Sequence, residues 1–157
     1  MNYDFLGSAY FRTSSEELHR ALSSIKQQSL KPNSVILVID GPLSFNLNEV
    51  LKQFRKVLKI QVLKLDKNYG LGIALRKGLE LCSSKFVLRF DSDDFNMPER
   101  AEMQIKFMEN GNYDISSTWV YEFFDYPENI LRVKKIPLSQ RNIKRMLPYR
   151  NPFNHPS

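Results

Sequence analysis

Five consecutive apolar residues, Val35-Ile36-Leu37-Val38-Ile39, end abruptly in Asp40-Gly41-Pro42. A strand with one wet face alternates apolar and polar side chains. An unbroken run fits a strand covered on both faces, as in a parallel sheet carrying helices on either side. The turn residues close the strand. The neighbouring segments supply helices to cover it. Ser14 with Glu17 makes a capping-box pattern, and Leu18, Ala21, Leu22 and Ile25 follow at helical spacing. Leu47, Val50, Leu51, Phe54 and Leu58 form a second stripe. A third helix is expected over 71–81, burying Leu71, Ala74, Leu75, Gly78, Leu79 and Cys82. Further strands are expected over 5–10, over 60–65, where Gln61 and Lys64 mark an edge, over 85–90, and over 113–124. Pro98 suits the first turn of a helix running to about Met108, a position that needs no N–H donor. This alternation of strands and helices predicts an α/β fold, a mostly parallel sheet flanked by helices, in one domain over 1–157.

Composition narrows the class. A chain of 157 residues with 42% hydrophobic side chains buries a core without disulfide or metal staples. No run approaches the roughly 18 apolar residues of a membrane span, and no signal pattern opens the chain. The single cysteine, Cys82, excludes an internal disulfide framework and suits a reducing compartment, so the cytoplasm is the expected location. Of the 23 Lys and Arg, seven lie in residues 132–157, which hold no acid; the other 131 residues therefore carry 16 bases against 17 acids. The whole positive balance is local. A nucleic-acid-binding domain more often spreads its basic face through the fold, and no nucleic-acid partner is expected. Residues 132–150 are the expected place for peripheral contact with an anionic membrane surface, against the alternative of a solvated segment.

The strongest chemical feature is Asp91-Ser92-Asp93-Asp94 directly after the strand over 85–90. Ligands of open α/β sheets bind beyond the carboxyl ends of the strands. Three acids in four residues repel one another unless a cation or hydrogen bonds relieve them. Hard divalent ions take carboxylates and complete their shell with water and phosphates, so the group suits a metal–diphosphate complex. Taken alone, an acidic turn before a helix is the simpler reading, and Asn96 and Pro98 break an EF-hand pattern. Asp40 either accepts an N–H from a bound base or caps the turn at Gly41. Asn68-Tyr69-Gly70-Leu71-Gly72 opens a helix, with Asn68 as the expected N-cap and glycines that allow close backbone approach. His19 reads as a surface residue. Trp119, Phe123 and Phe124 read as core or sheet-packing residues.

The order strand–Asp40-Gly41, then Asn68-x-Gly70-Leu71-x-x-Ala74-Leu75-x-x-Gly78-Leu79, then Arg89-Phe90-Asp91-Ser92-Asp93-Asp94-x-x-x-Pro98-x-Arg100 resembles the family 2 glycosyltransferases. The likeness runs over about residues 5–157, is most specific over 68–104, and includes the final segment 150–157. It implies a GT-A fold and inverting, metal-dependent transfer from a nucleotide-diphospho-sugar donor, with a UDP-sugar first in line. The acceptor would be a saccharide or lipid-linked molecule in bacterial surface-polysaccharide assembly, at the inner face of the cell membrane. Asp91 and Asp93 match the family's Asp-x-Asp motif. The resemblance gives Asp93 the role of ligand to Mn²⁺ or Mg²⁺ and places Asp91 toward the ribose or the metal's water shell, with Asp94 a ligand only if the alignment slips by one. Asp40 matches the acid that meets the base, commonly uracil; Ser8 and Tyr10 match the strand end lining the nucleotide pocket; Asn68 and Gly70 fall in the motif that follows.

The chain departs from the pattern in three ways. One acid, Asp40, stands where the family usually has two, the first strand opens almost at Met1, and no Asp or Glu follows Glu128. The catalytic residue that serves as base is therefore unknown, with the upstream Glu122 and Asp125 as substitutes. The acceptor-binding part is expected to be missing, leaving a chain that binds donor but transfers it poorly. A non-catalytic nucleotide-binding α/β module is the alternative from another class.

Overall fold

A computed structural model describes residues 2–155; Pro156 and Ser157, part of the final segment noted above, lie outside them. The elements run β1 (Tyr3–Ala9), α1 (Ser15–Lys26), β2 (Ser34–Ile39), α2 (Phe45–Phe54), β3 (Ile60–Lys64), α3 (Leu71–Leu79), β4 (Phe86–Arg89), α4 (Arg100–Gly111), β5 (Val120–Phe123), β6 (Ile130–Lys134) and α5 (Gln140–Met146). They fall into two compact units, Met1–Ile105 and Lys106–Ser157.

In the first unit β1 to β4 make a four-stranded sheet in the order β3-β2-β1-β4, every pairing parallel. All six residues of β2 are buried, and successive side chains enter opposite layers. Val35, Leu37 and Ile39 join a large cluster with Leu18, Leu22 and Ile25 of α1, Leu47 and Leu51 of α2, and Ala101 and Ile105 of α4. Ile36 and Val38 join a smaller one with Ala74 of α3. The two-sided burial expected of the Val35–Ile39 run is what the fold shows, and β3, with its polar Gln61 and Lys64, takes the edge. The Ser14 capping box forms as well: the Ser14 hydroxyl accepts from Glu17 N while the Glu17 carboxylate accepts from Ser14 N.

Several expectations are corrected. Helix α3 stops at Leu79, and Leu71 and Leu79 are 46% and 53% exposed while Ala74 and Gly78 face the sheet. The small residues win that face because a Cβ on Gly78 would lie 2.6 Å from Leu6 Cδ1 and 2.7 Å from Val38 Cγ2, so the helix sits too close for leucine. Asn68 is not the N-cap of α3; Gly70 is, at φ +86°, and Asn68 Oδ1 instead accepts from Gly70 N at 3.1 Å. Of the strand expected over 113–124, only Val120–Phe123 forms. Within the second unit Ser117 and Thr118 bond Asn154 instead of a strand: Asn154 N donates to Ser117 Oγ at 3.0 Å and Asn154 Nδ2 to Thr118 O at 2.8 Å. There β5 pairs antiparallel with β6. Trp119 is no core residue. It is exposed, its Nε1 donates to Ile136 O at 3.0 Å, and Lys135 lies over its ring. Phe124 is likewise exposed. Among the described residues no helix is long and apolar enough to cross a membrane.

Candidate donor site at the carboxyl edge of the sheet

Because β1 to β4 are parallel, their carboxyl ends share one edge, and the chain places β2 and β3 on one side of β1 and β4 on the other. Such a reversal of strand order opens a crevice between the loops that leave the strands on either side of the reversal, here β1 and β4. The loops after β1 and β4 do meet there. Tyr10 N donates to Thr13 Oγ1 at 3.1 Å, and that hydroxyl lies 3.4 Å from Ser92 Oγ. Ser8, half-buried in β1 opposite Val38, and Tyr10, exposed just beyond the strand, stand on this side.

Asp40 and the 68–70 loop make the second half of the edge. Asp40 is buried, and its two carboxylate oxygens accept from Tyr69 N at 2.8 Å and Gly70 N at 2.9 Å. Neither sequence alternative, base contact or cap of Gly41, named these partners. Gly41 is needed for the approach: at φ +93° a Cβ would stand 3.0 Å from Asn68 N. Gly70 leaves bare backbone, with no atom within 4 Å of where its Cβ would be.

The acidic loop separates its three carboxylates. Asp91 pairs with Arg89 and is half-buried, Asp93 is exposed, and Asp94 is half-buried. Burial, then the charges of Asp93 and Asp91, push the Asp94 carboxyl up to about 6 against the pull of Arg100 and Arg89. Arg89 is lowered by burial, which Asp91 and Asp94 oppose. Among the described residues no three His, Cys, Asp or Glu side chains converge as a metal cage. Mg²⁺ and similar hard ions ordinarily take only one or two carboxylates alongside substrate phosphates, and the exposed oxygens of Asp93 beside Asp91 fit that donor set.

The supports behind this edge went unread in the sequence. Ser24 on α1 and Gln28, two residues past the end of that helix, are fully buried. Ser24 Oγ accepts from Asn96 N at 3.0 Å and Asn96 Nδ2 at 3.1 Å, and Gln28 reaches Met97 O at 2.8 Å and accepts from Ala101 N at 3.0 Å. The available signal was Ser24, a polar residue on a helix face otherwise reserved for the core.

The sequence model of the family Glycosyl transferase family 2 matches residues 8–157. The chain belongs to that family. The family 2 chain is 38% identical over 154 residues to the amylovoran biosynthesis glycosyltransferase AmsE of Erwinia amylovora, covering 98% of this chain and 57% of that protein. It is 39% identical over 156 residues to the UDP-Gal:alpha-D-GlcNAc-diphosphoundecaprenol beta-1,3-galactosyltransferase of Escherichia coli, covering 99% and 56%. It thus spans little more than half the length of these relatives. Among solved structures it resembles S. aureus TarS 1-349 in complex with UDP-GlcNAc (TM-score 0.65, 24% identity, 73% of this chain and 33% of that one). It also resembles the Pyrobaculum calidifontis mannosyltransferase PcManGT in complex with GDP-Man and Mn²⁺ (TM-score 0.59, 15% identity, 82% and 36%). At those identities the likeness establishes the fold, which is GT-A.

Proposed function

We propose that this family 2 chain binds a nucleotide-diphospho-sugar, a UDP-sugar first, and serves its transfer to a saccharide or lipid-linked acceptor in bacterial polysaccharide biosynthesis. The observation that carries the proposal is Asp93. It is the exposed acid of a loop at the carboxyl edge whose other two acids face Arg89 and Arg100. The donors named for the E. coli relative and for the TarS complex support a uridine nucleotide.

Each residue then has a role. Asp93, with Asp91, would hold Mn²⁺ or Mg²⁺, which when bound supplies positive charge to the leaving diphosphate. Asp40 fixes the 68–70 loop so that Asn68 and the bare backbone of Gly70 approach the nucleotide, with Ser8 and Tyr10 lining the other side. Direct displacement with inversion needs a carboxylate to take the acceptor's hydroxyl proton. Glu122 is a poor choice, since the hydrogen bond and charge of Arg132 hold its carboxyl below the ordinary range and weaken it as a base. Asp125, at φ +59° in the β5–β6 turn, is the remaining acid of the two.

Titration of UDP and GDP with and without Mn²⁺, on the wild type and Asp93→Asn, tests the proposal. Metal-dependent binding that the substitution largely removes is expected. Binding indifferent to both metal and Asp93 would overturn it.

The second unit extends the proposal to the inner face of the membrane. Every charged residue in 132–150 is basic, and Leu138 and Tyr149 between them are 80% and 88% exposed. Each base near an anionic surface contributes about 1 kcal/mol. Co-sedimentation with phosphatidylglycerol vesicles at low salt, lost in neutral vesicles and at high salt, is the expected result; indifference to lipid charge would remove this part.

A further inference from the structure

The Arg100 side chain ties three segments together through three nitrogens. Nη2 donates to Arg89 O, the last carbonyl of β4 and two residues before Asp91, at 2.8 Å. Nη1 donates to Asn96 Oδ1 in the loop, and Nε to Gln104 Oε1 one turn along α4 at 2.9 Å. Asn96 is itself anchored to Ser24 of α1 through both its backbone and side-chain nitrogens. The Arg100 guanidinium also lies 5.9 Å over the Phe5 ring of β1. Both ends of the segment Asp91–Asn96 are therefore pinned to one buried cation, and Asp93, between them, is left exposed.

We propose that Arg100 is a positioning residue for the donor site, a buried brace that fixes both ends of the acidic loop and so presents Asp93 outward. The proposal rests on the donor-site reading above. Its charge serves the same end as its hydrogen bonds. Burial brings the guanidinium down to about 10, while Asp94 and Asp91 counter that shift, so the cation offsets part of the mutual repulsion of the loop acids. Lysine cannot replace it. A planar fork with five donors reaches three acceptors in three directions, whereas an ammonium is a single point of charge.

The test measures the ratio of UDP affinity with Mn²⁺ to that without it, alongside thermal unfolding, for the wild type, Arg100→Lys, Gln104→Leu and Leu51→Ala. Partners that orient metal-binding groups typically change affinity about 10–100-fold when removed. A fall of that size in the ratio is expected for Arg100→Lys, and a smaller fall for Gln104→Leu, which keeps the cation but removes one acceptor. Leu51→Ala opens the core beneath α2, where Leu51 takes no part in the bonds of Arg100, and should lower the melting temperature with the ratio intact, which separates positioning from mere destabilisation. If Arg100→Lys does not fold, Gln104→Leu decides alone. An unchanged ratio in folded Arg100→Lys, or in Gln104→Leu when that variant decides, would overturn the Arg100 role and leave the donor site standing. A wild type whose UDP binding ignores Mn²⁺ would overturn the donor-site reading, and this role with it.

Discussion

Replacing Asp40 by Asn separates a structural carboxylate from a ligand-contacting one. Each Asp40 oxygen accepts one amide, from Tyr69 at 2.8 Å and Gly70 at 2.9 Å, with the side chain buried. Asparagine keeps one acceptor oxygen; its NH₂ would face the second amide donor to donor. Hydrogen bonds to charged groups contribute about 1.5–3 kcal/mol each, and a buried donor left unpaired costs a similar amount. Loss of one bond, with the charge removed from the other, should destabilise the loop clasp by about 2–3 kcal/mol. Amide exchange at Tyr69 or Gly70 should then speed up by about 30- to 140-fold, since 1.4 kcal/mol is a factor of ten. Thermal unfolding should fall by about 4–12 °C at the 2–4 °C per kcal/mol typical of this chain length. NMR-detected hydrogen exchange on ligand-free protein is the direct assay. Wild-type exchange rates at both amides, with weakened UDP binding, would refute the clasp and return Asp40 to a role reserved for ligand.

Two further predictions concern the scaffold. Gly7→Ala should destabilise by about 1–3 kcal/mol, read as a lower urea midpoint, because the new methyl would meet the buried Phe90 ring at 2.5 Å and Phe5 sits edge-on to that ring. Burial acts to raise the Asp4 carboxyl, but hydrogen bonds from the Ser34 hydroxyl and the Ser84 and Ser83 amides outweigh it and hold it below the ordinary range. A lowered folded-state value means stability that is present above the unfolded carboxylate value of about 3.9 and lost as pH falls through the folded one. Asp4→Asn should therefore lower the urea midpoint at neutral pH and flatten its decline below about pH 4; a parallel decline in both proteins would refute the assignment.

The fold was legible wherever burial is periodic in the sequence. The run Val35–Ile39 announced a strand covered on both faces, and Gln61 and Lys64 announced the edge. Legibility failed where backbone proximity, not side-chain size, decides what is buried. On α3 the leucines suggested the inward stripe, but Ala74 and Gly78 hold it because the helix lies almost against Leu6 and Val38. It failed again in the second unit, where neither β6 nor α5 was expected: β6 is exposed at every residue, so no buried face imposes an alternation on its sequence.

The site divides along the same line. Its acids were visible because Asp40 directly follows β2 and Asp91 to Asp94 lie within five residues of the end of β4, and a strand end at the carboxyl edge of a parallel sheet faces the crevice whatever the distant chain does. Its supports join residues far apart: Thr13 with Ser92 across 79 positions, Ser24 with Asn96 across 72, Gln28 with Met97 across 69. No local period encodes such joints, and a polar residue on an apolar stripe is their only trace. Ser24 carries that trace on α1, and Gln28 is buried two residues past its end. They bond the segment that follows the acidic loop, and Arg100 ties the same segment back to the end of β4. Those bonds hold the carboxylates of Asp91, Asp93 and Asp94 in three different environments although they lie within four consecutive residues. The amides, hydroxyl and guanidinium behind the loop decide which of these acids meets solvent.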